Sequence, residues 1–246
     1  MYLTTRGLVL RETKYKEADK ILTILTEDAG KLTASARGVL RKGSQIAAGC
    51  QLLTFSELTL FENRGRWTVN EAQSAEQFLG LRSDISLLAL GAYFAELLEA
   101  VSDEDSPDPE ILRLGLNSLF ALAGGYYAPE HIKAVFELRL MCLAGYFPQL
   151  EACQKCGVEP AEPVFSTRGG TLLCRSCAGF ADGETVSLTP GALDALRYIE
   201  DAESKKIFSF SLAERDEAVL ARVCEAYVVA QLERNFASLD YWRSVR

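Results

Sequence analysis

Four of the seven cysteines fall in two identical pairs, Cys153-x2-Cys156 and Cys174-x2-Cys177, separated by 17 residues. This spacing constrains the chain more than any other feature. Each pair places two sulfurs on one tight knuckle, and four thiolates close a tetrahedron around a soft divalent ion such as zinc. Gly157, directly after Cys156, permits the left-handed backbone that such a knuckle often adopts. Four sulfur ligands leave no open coordination position, so the expected site is structural, with one Zn2+ per chain. The alternative reading is four small buried side chains. A redox C-x2-C is disfavoured because no βαβ pattern surrounds either pair. Cys50, Cys142 and Cys224 are scattered, and an odd total without an export signal argues against a disulfide framework.

The rest of the chain changes periodicity once. Up to about residue 75 it reads as five short strands: Gly7–Leu10, Ile21–Thr26, Lys31–Gly38, Leu52–Phe61 and Arg66–Gln73, with turns at 28–30 and 62–65. Five strands in this length suggest an OB-fold barrel. Beyond residue 80 the pattern is helical. Ser83 is placed to cap a helix reaching Val101, apolar around most of its girth and therefore central. Asp108-Pro109 and Pro129 open two more helices, the second with an apolar stripe at Ile132, Val135, Phe136, Leu140 and Leu143. Further helices begin at Thr189-Pro190 and carry the face Val219, Leu220, Val223, Cys224 and Tyr227. The expected fold class is α+β multidomain: a five-stranded OB-fold β-barrel over 1–78, then an all-helical domain over 79–246 with a zinc-binding insertion at about 150–180.

Net charge sharpens this division. The chain carries −8 overall, yet residues 1–70 hold 11 basic and 7 acidic side chains, a net of +4, which leaves −12 for the remainder. An acidic average argues against a phosphate-rich partner, but a basic module joined to an acidic one does not. Arg11, Lys14, Lys16 and Lys20 cluster near the first strand, Arg37, Arg41 and Lys42 surround the glycines at 38 and 43, and Arg64 and Arg66 flank a hairpin turn. Loops of one small barrel bring such groups to one face, where cations track phosphates and aromatics such as Tyr15, Phe61 and Trp67 stack on bases. An ordinary solvated face, with the aromatics in the barrel wall, is the competing reading. The run Asp103-Glu104-Asp105 is expected to be a solvated inter-helix loop.

Catalytic chemistry finds little footing. The one histidine, His131, stands at a helix start, where a solvated or capping role is expected. A deaminase pattern fails because Ile132-Lys133 follows His131 and Ala152 precedes Cys153. Gly30-Lys31 imitates the end of a P-loop, but Leu32 and Leu25 replace the required residues. No run of about 18 apolar residues exists to cross a membrane, and Met1–Arg6 lacks a secretory profile. A cytoplasmic, non-enzymatic protein is expected.

Two motif groups resemble the RecO family of bacterial recombinational repair. One comprises Arg6-Gly7-Leu8-Val9-Leu10, Asp19–Glu27, Gly30-Lys31-Leu32 and Ala36-Arg37-Gly38-Val39. The other comprises Phe136–Leu140 and Leu143-Ala144-Gly145-Tyr146-Phe147-Pro148, followed by Cys153-Gln154-Lys155-Cys156-Gly157. The resemblance implies an N-terminal OB-fold, a helical C-terminal domain and a four-cysteine zinc site. It further implies binding of single- and double-stranded DNA, strand annealing, and, with RecR, loading of RecA onto DNA coated by single-stranded DNA-binding protein (SSB), in the nucleoid-associated cytoplasm and without catalytic turnover. Arg37, Arg41 and Lys42 are then the first candidates for DNA, and Lys133 and Arg139 for the acidic tail of SSB. A zinc-stabilised protein adaptor that does not touch DNA is the alternative.

Overall fold

The computed structural model describes all residues, Met1–Arg246. Five strands, β1 (Tyr2–Tyr15), β2 (Asp19–Thr26), β3 (Gly30–Ala36), β4 (Phe55–Asn63) and β5 (Arg66–Glu76), close a barrel in the order β1-β2-β3-β5-β4. All neighbours are antiparallel except β3 and β5, which meet in a short parallel seam at Ala34↔Trp67 and Ser35↔Thr68. This is the OB-fold arrangement expected from the strand count. Alternation along the strands builds the interior, with Val9, Leu22, Ile24, Leu32, Ala34, Leu58, Leu60 and Val69 in one buried cluster. Trp67 packs against that cluster and belongs to the barrel wall.

Leu8, Leu10 and Leu25 are also buried but point away from the barrel interior. They are covered from outside, where α2 (Ile85–Val101) packs on β1 and β2. Its cap is Asp84, one residue later than expected, with a carboxylate accepting from the backbone N–H groups of Ser86 and Leu87. Aspartate is the stronger of the two competing acceptors beside these N–H groups. Ahead of it runs the short α1 (Leu79–Arg82), and after it α3 (Pro109–Gly124), capped by Asp108. Compactness divides the chain into Met1–Gly124 with Phe236–Arg246, and Gly125–Asn235. Strand gives way to helix between Glu76 and Leu79, but α1 to α3 and the closing α7 (Ala237–Val245) group with the barrel.

The second unit holds α4 (Pro129–Leu143), α5 (Pro190–Asp201) and α6 (Glu214–Gln231), which pack pairwise. Rather than one stripe, α4 buries every residue from His131 to Leu138. Between α4 and α5 lies a sheet absent from the sequence reading: β6 (Pro163–Ser166), β7 (Thr171–Cys174) and β8 (Thr185–Ser187), antiparallel in the order β7-β6-β8. No helix is long and apolar enough to cross a membrane.

Candidate metal centre and nucleic-acid interface

The cysteine pairs meet. The sulfurs of Cys153, Cys156, Cys174 and Cys177 lie within 4.8 Å of one another, and Cys156 Sγ is 3.9 Å from Cys174 Sγ. A tetrahedral ion with sulfur at about 2.3 Å requires sulfur separations of about 3.8 Å, so the donor set fits such an ion. Local backbone explains the convergence. In the first knuckle the Gly157 N–H donates to the Cys153 carbonyl at 2.8 Å, with Gly157 at φ +72°. The Gln154 N–H reaches the Leu172 carbonyl, tying this knuckle to β7. The second pair begins at the last residue of β7 and continues into a 3-10 helix over Arg175–Phe180. Burial opposes ionisation of Cys153, but backbone N–H groups of Cys174, Cys156 and Lys155 aimed at its sulfur bring it down to about 6. Cys177 goes the other way, held up to about 12 by its hydrogen bond with Cys174, by burial and by the other thiols. The cluster therefore releases its first proton easily and its last with difficulty until a cation supplies positive charge.

The other three cysteines are small core residues. Cys50 and Cys142 are each pushed up to about 12, and Cys224 well above its usual value, mainly by burial.

On the barrel, the stretch after β3 folds back onto the β1–β2 turn. The Gly38 N–H donates to Asp19 Oδ1 at 2.7 Å, and the Leu40 N–H donates to the Ala18 carbonyl at 2.9 Å. Gly38 has φ +67°, a conformation that glycine adopts without steric cost. Two bonds thus set Arg37, Arg41 and Lys42 beside Lys14 and Lys16, all five exposed and none in an ion pair. Lys16 Nζ lies 5.2 Å from the centroid of the exposed Tyr15 ring. Strand register carries the pattern across β3, since β2 enters at Lys20↔Ala36 while β5 enters at Trp67↔Ala34, two residues away. Arg64, on the β4–β5 turn, and Arg66, the first residue of β5, are both exposed. Phe61 packs at a tilt against Tyr2, with ring centroids 5.0 Å apart and planes at 46°. Arg11 is engaged differently, in an ion pair with Glu99 at 2.8 Å.

Two expectations are corrected. Lys133 is 2% exposed, and its ammonium is 2.8 Å from both Glu137 and Glu225. Although burial works against the charge, these carboxylates raise its pKa above the usual lysine value, and no face is offered to an incoming acidic tail. Arg139 is likewise turned inward, donating to the carbonyls of Ile199 and Glu200. Both residues sit on a helix that is buried almost all round, which a pattern of spaced apolar residues underestimates. His131 is buried rather than solvated, its Nδ1 3.0 Å from Glu217 Oε1 and its Nε2 3.3 Å from the Phe208 carbonyl.

Comparison with known proteins agrees along the whole chain. The family described as "Recombination protein O N terminal" matches residues 1–78, and "Recombination protein O C terminal" matches residues 82–240. Among similar proteins, "DNA repair protein RecO" of Acetivibrio thermocellus is 35% identical over 245 residues, covering 99% of this chain and 97% of that one. The protein of the same name from Alkaliphilus metalliredigens is 31% identical with both chains covered in full, and that from Rubrobacter xylanophilus 35% identical over 92% of this chain and 90% of its own.

Proposed function

The chain belongs to the RecO family of DNA repair proteins, and from that premise we propose that it is a non-enzymatic recombination mediator whose barrel binds DNA. In this reading it takes both single- and double-stranded DNA, anneals complementary strands, and with RecR promotes loading of RecA onto DNA coated by SSB in the bacterial cytoplasm. The observation that carries it is the group of five exposed, unpaired cations, Lys14, Lys16, Arg37, Arg41 and Lys42, held at one end of the barrel by the Gly38 and Leu40 hydrogen bonds. Phosphate binding through such a group is sequence-independent and screened by salt. Residues 1–78 are the DNA-binding part, with Arg64 and Arg66 extending its surface. Residues 79–246 form the partner-binding part, which meets the SSB tail through surface other than Lys133 and Arg139.

The ion we assign to the four cysteines is structural Zn2+, held by Cys153, Cys156, Cys174 and Cys177. With four sulfurs it supplies cross-linking and charge, and the chain's own N–H groups prepare the first thiolate for it.

Charge reversal tests the barrel. A triple variant, Arg37→Glu, Arg41→Glu and Lys42→Glu, should lose about tenfold or more of its affinity for single-stranded DNA in a low-salt mobility shift and should anneal complementary strands no faster than buffer. Undiminished binding and annealing would reduce the barrel to a scaffold.

A further inference from the structure

The eleven basic residues of the barrel segment fall into two groups. Seven are exposed and outside any ion pair: Lys14, Lys16, Arg37, Arg41, Lys42, Arg64 and Arg66. The other four are engaged: Arg6 with Glu27, Lys20 with Glu12, Arg11 with the Glu99 carboxylate at 2.8 Å, and Lys31 Nζ with the Glu99 carbonyl at 2.8 Å. Two of these four, Arg11 and Lys31, share one region of the surface. Arg11 and Lys31 lie where the end of α2 and the acidic run after it cross the outside of the barrel. Thr23 and Leu25, which pair across β1 and β2 with Arg11 and Leu8, are buried there. The acidic run is also fixed in place rather than being a free loop. Lys31 N–H donates to the Asp103 carbonyl at 3.0 Å, and Glu104 makes β-bridges to Gly30 and Lys31. Approach is so close at Gly30, φ +63°, that a Cβ would lie 2.7 Å from the Asp103 carbonyl oxygen.

Oligonucleotides ordinarily cross an OB-fold over β2 and β3 between the β1–β2 and β4–β5 loops. Here the first half of β3 is bordered by exposed carboxylates of Asp103, Glu104 and Asp105. We propose that Glu99 and this acidic edge set the border of the nucleic-acid footprint, confining phosphates to the seven free cations and withholding Arg11 from them. The inference rests on the nucleic-acid reading above and specifies where on the barrel it operates. Single surface ion pairs are weak and the Arg11 side chain is 62% exposed, so the exclusion is electrostatic: a phosphate near Arg11 also meets the Glu99 carboxylate.

Salt-dependent fluorescence anisotropy with a labelled oligothymidylate tests it, because the slope of log K against log salt falls by about 0.7 for each phosphate of a single strand that the protein no longer neutralises. Arg41→Gln should lower affinity several-fold and flatten the slope by about that amount. Arg11→Gln should leave both within twofold of wild type. Glu99→Gln should raise affinity and steepen the slope, and the Arg11→Gln, Glu99→Gln double variant should return to the wild-type level. If Arg11→Gln costs as much as Arg41→Gln, or Glu99→Gln brings no gain, the border is refuted while DNA binding stands. Absence of binding by the wild-type protein would overturn the nucleic-acid reading and the border with it.

Discussion

The unit built on the barrel and the unit between residues 125 and 235 both have buried cores, but they fill them differently. Polar side chains buried in the first are hydroxyls: Thr5, Thr23, Thr26, Thr54, Ser56, Ser102 and Ser118. The second buries the hydroxyls of Ser166, Thr167 and Thr171 as well, but adds His131, Lys133 and Glu137, and carries the thiol cluster. A hydroxyl needs one hydrogen bond, whereas a buried ion needs a partner of opposite charge and becomes a liability when the partner is removed. The barrel therefore draws its stability from apolar area, and the second unit contains buried charges that must stay matched.

Metal removal should separate the two most strongly. Apparent binding free energies of structural zinc sites are about 10–16 kcal/mol. Chelation, or Cys174→Ser, should abolish hydrogen-exchange protection across residues 150–188 while leaving the barrel strands protected; equal loss in both would break the contrast. Next in size, Lys133→Met strands Glu137, which is fully buried, and should cost about 3–5 kcal/mol in urea unfolding. Recovery in a Lys133→Met, Glu137→Leu double variant would sharpen the point. In the barrel, Ile24→Ala removes only apolar packing. It should cost about 2–5 kcal/mol and be insensitive to chelator.

Alkali reaches both units. Cys50 and Cys142 are raised to about 12 in the folded protein against 9.0 for a free thiol. Their contribution is complete below pH 9 and is lost as pH rises toward 12, since the unfolded chain ionises first. Between pH 7 and 8 these thiols stay protonated. Aromatic disulfide reagents should leave Cys50, Cys142 and Cys224 unmodified in the native protein and reach the other four only after chelation.

What the sequence reveals follows the same contrast. Apolar alternation made the barrel readable, because each strand, such as Lys31 to Ala36, shows its two faces in its own few residues. The metal cluster was readable for another reason: its ligands come in pairs of fixed spacing. Strands β6 to β8 were not, since each has only three or four residues and β8 takes its partner β6 from beyond β7 and the 3-10 helix. Lys133 and Glu137, spaced i,i+4, look like a solvated helix pair, and only Glu225 on α6 with the packing around α4 makes them interior. The footprint border was hidden for a similar reason. Glu99 and Arg11 are far apart in the chain, and the acidic run after Glu99 gives no local sign that it will dock on β3.

The last helix has a consequence in time. Phe236 stands edge-on to Tyr93 at 5.7 Å, Ser238 donates to Glu96, and Trp242 is almost wholly buried, so α7 completes the unit that the first residues begin. At roughly 5–20 residues per second of translation, α2 waits on the order of 5–20 s on the ribosome while residues 125–235 are made. A newborn chain can close its barrel early but cannot finish the surface beside it until α7 is made, and a stop codon placed before Ala237 is felt in the unit translated first.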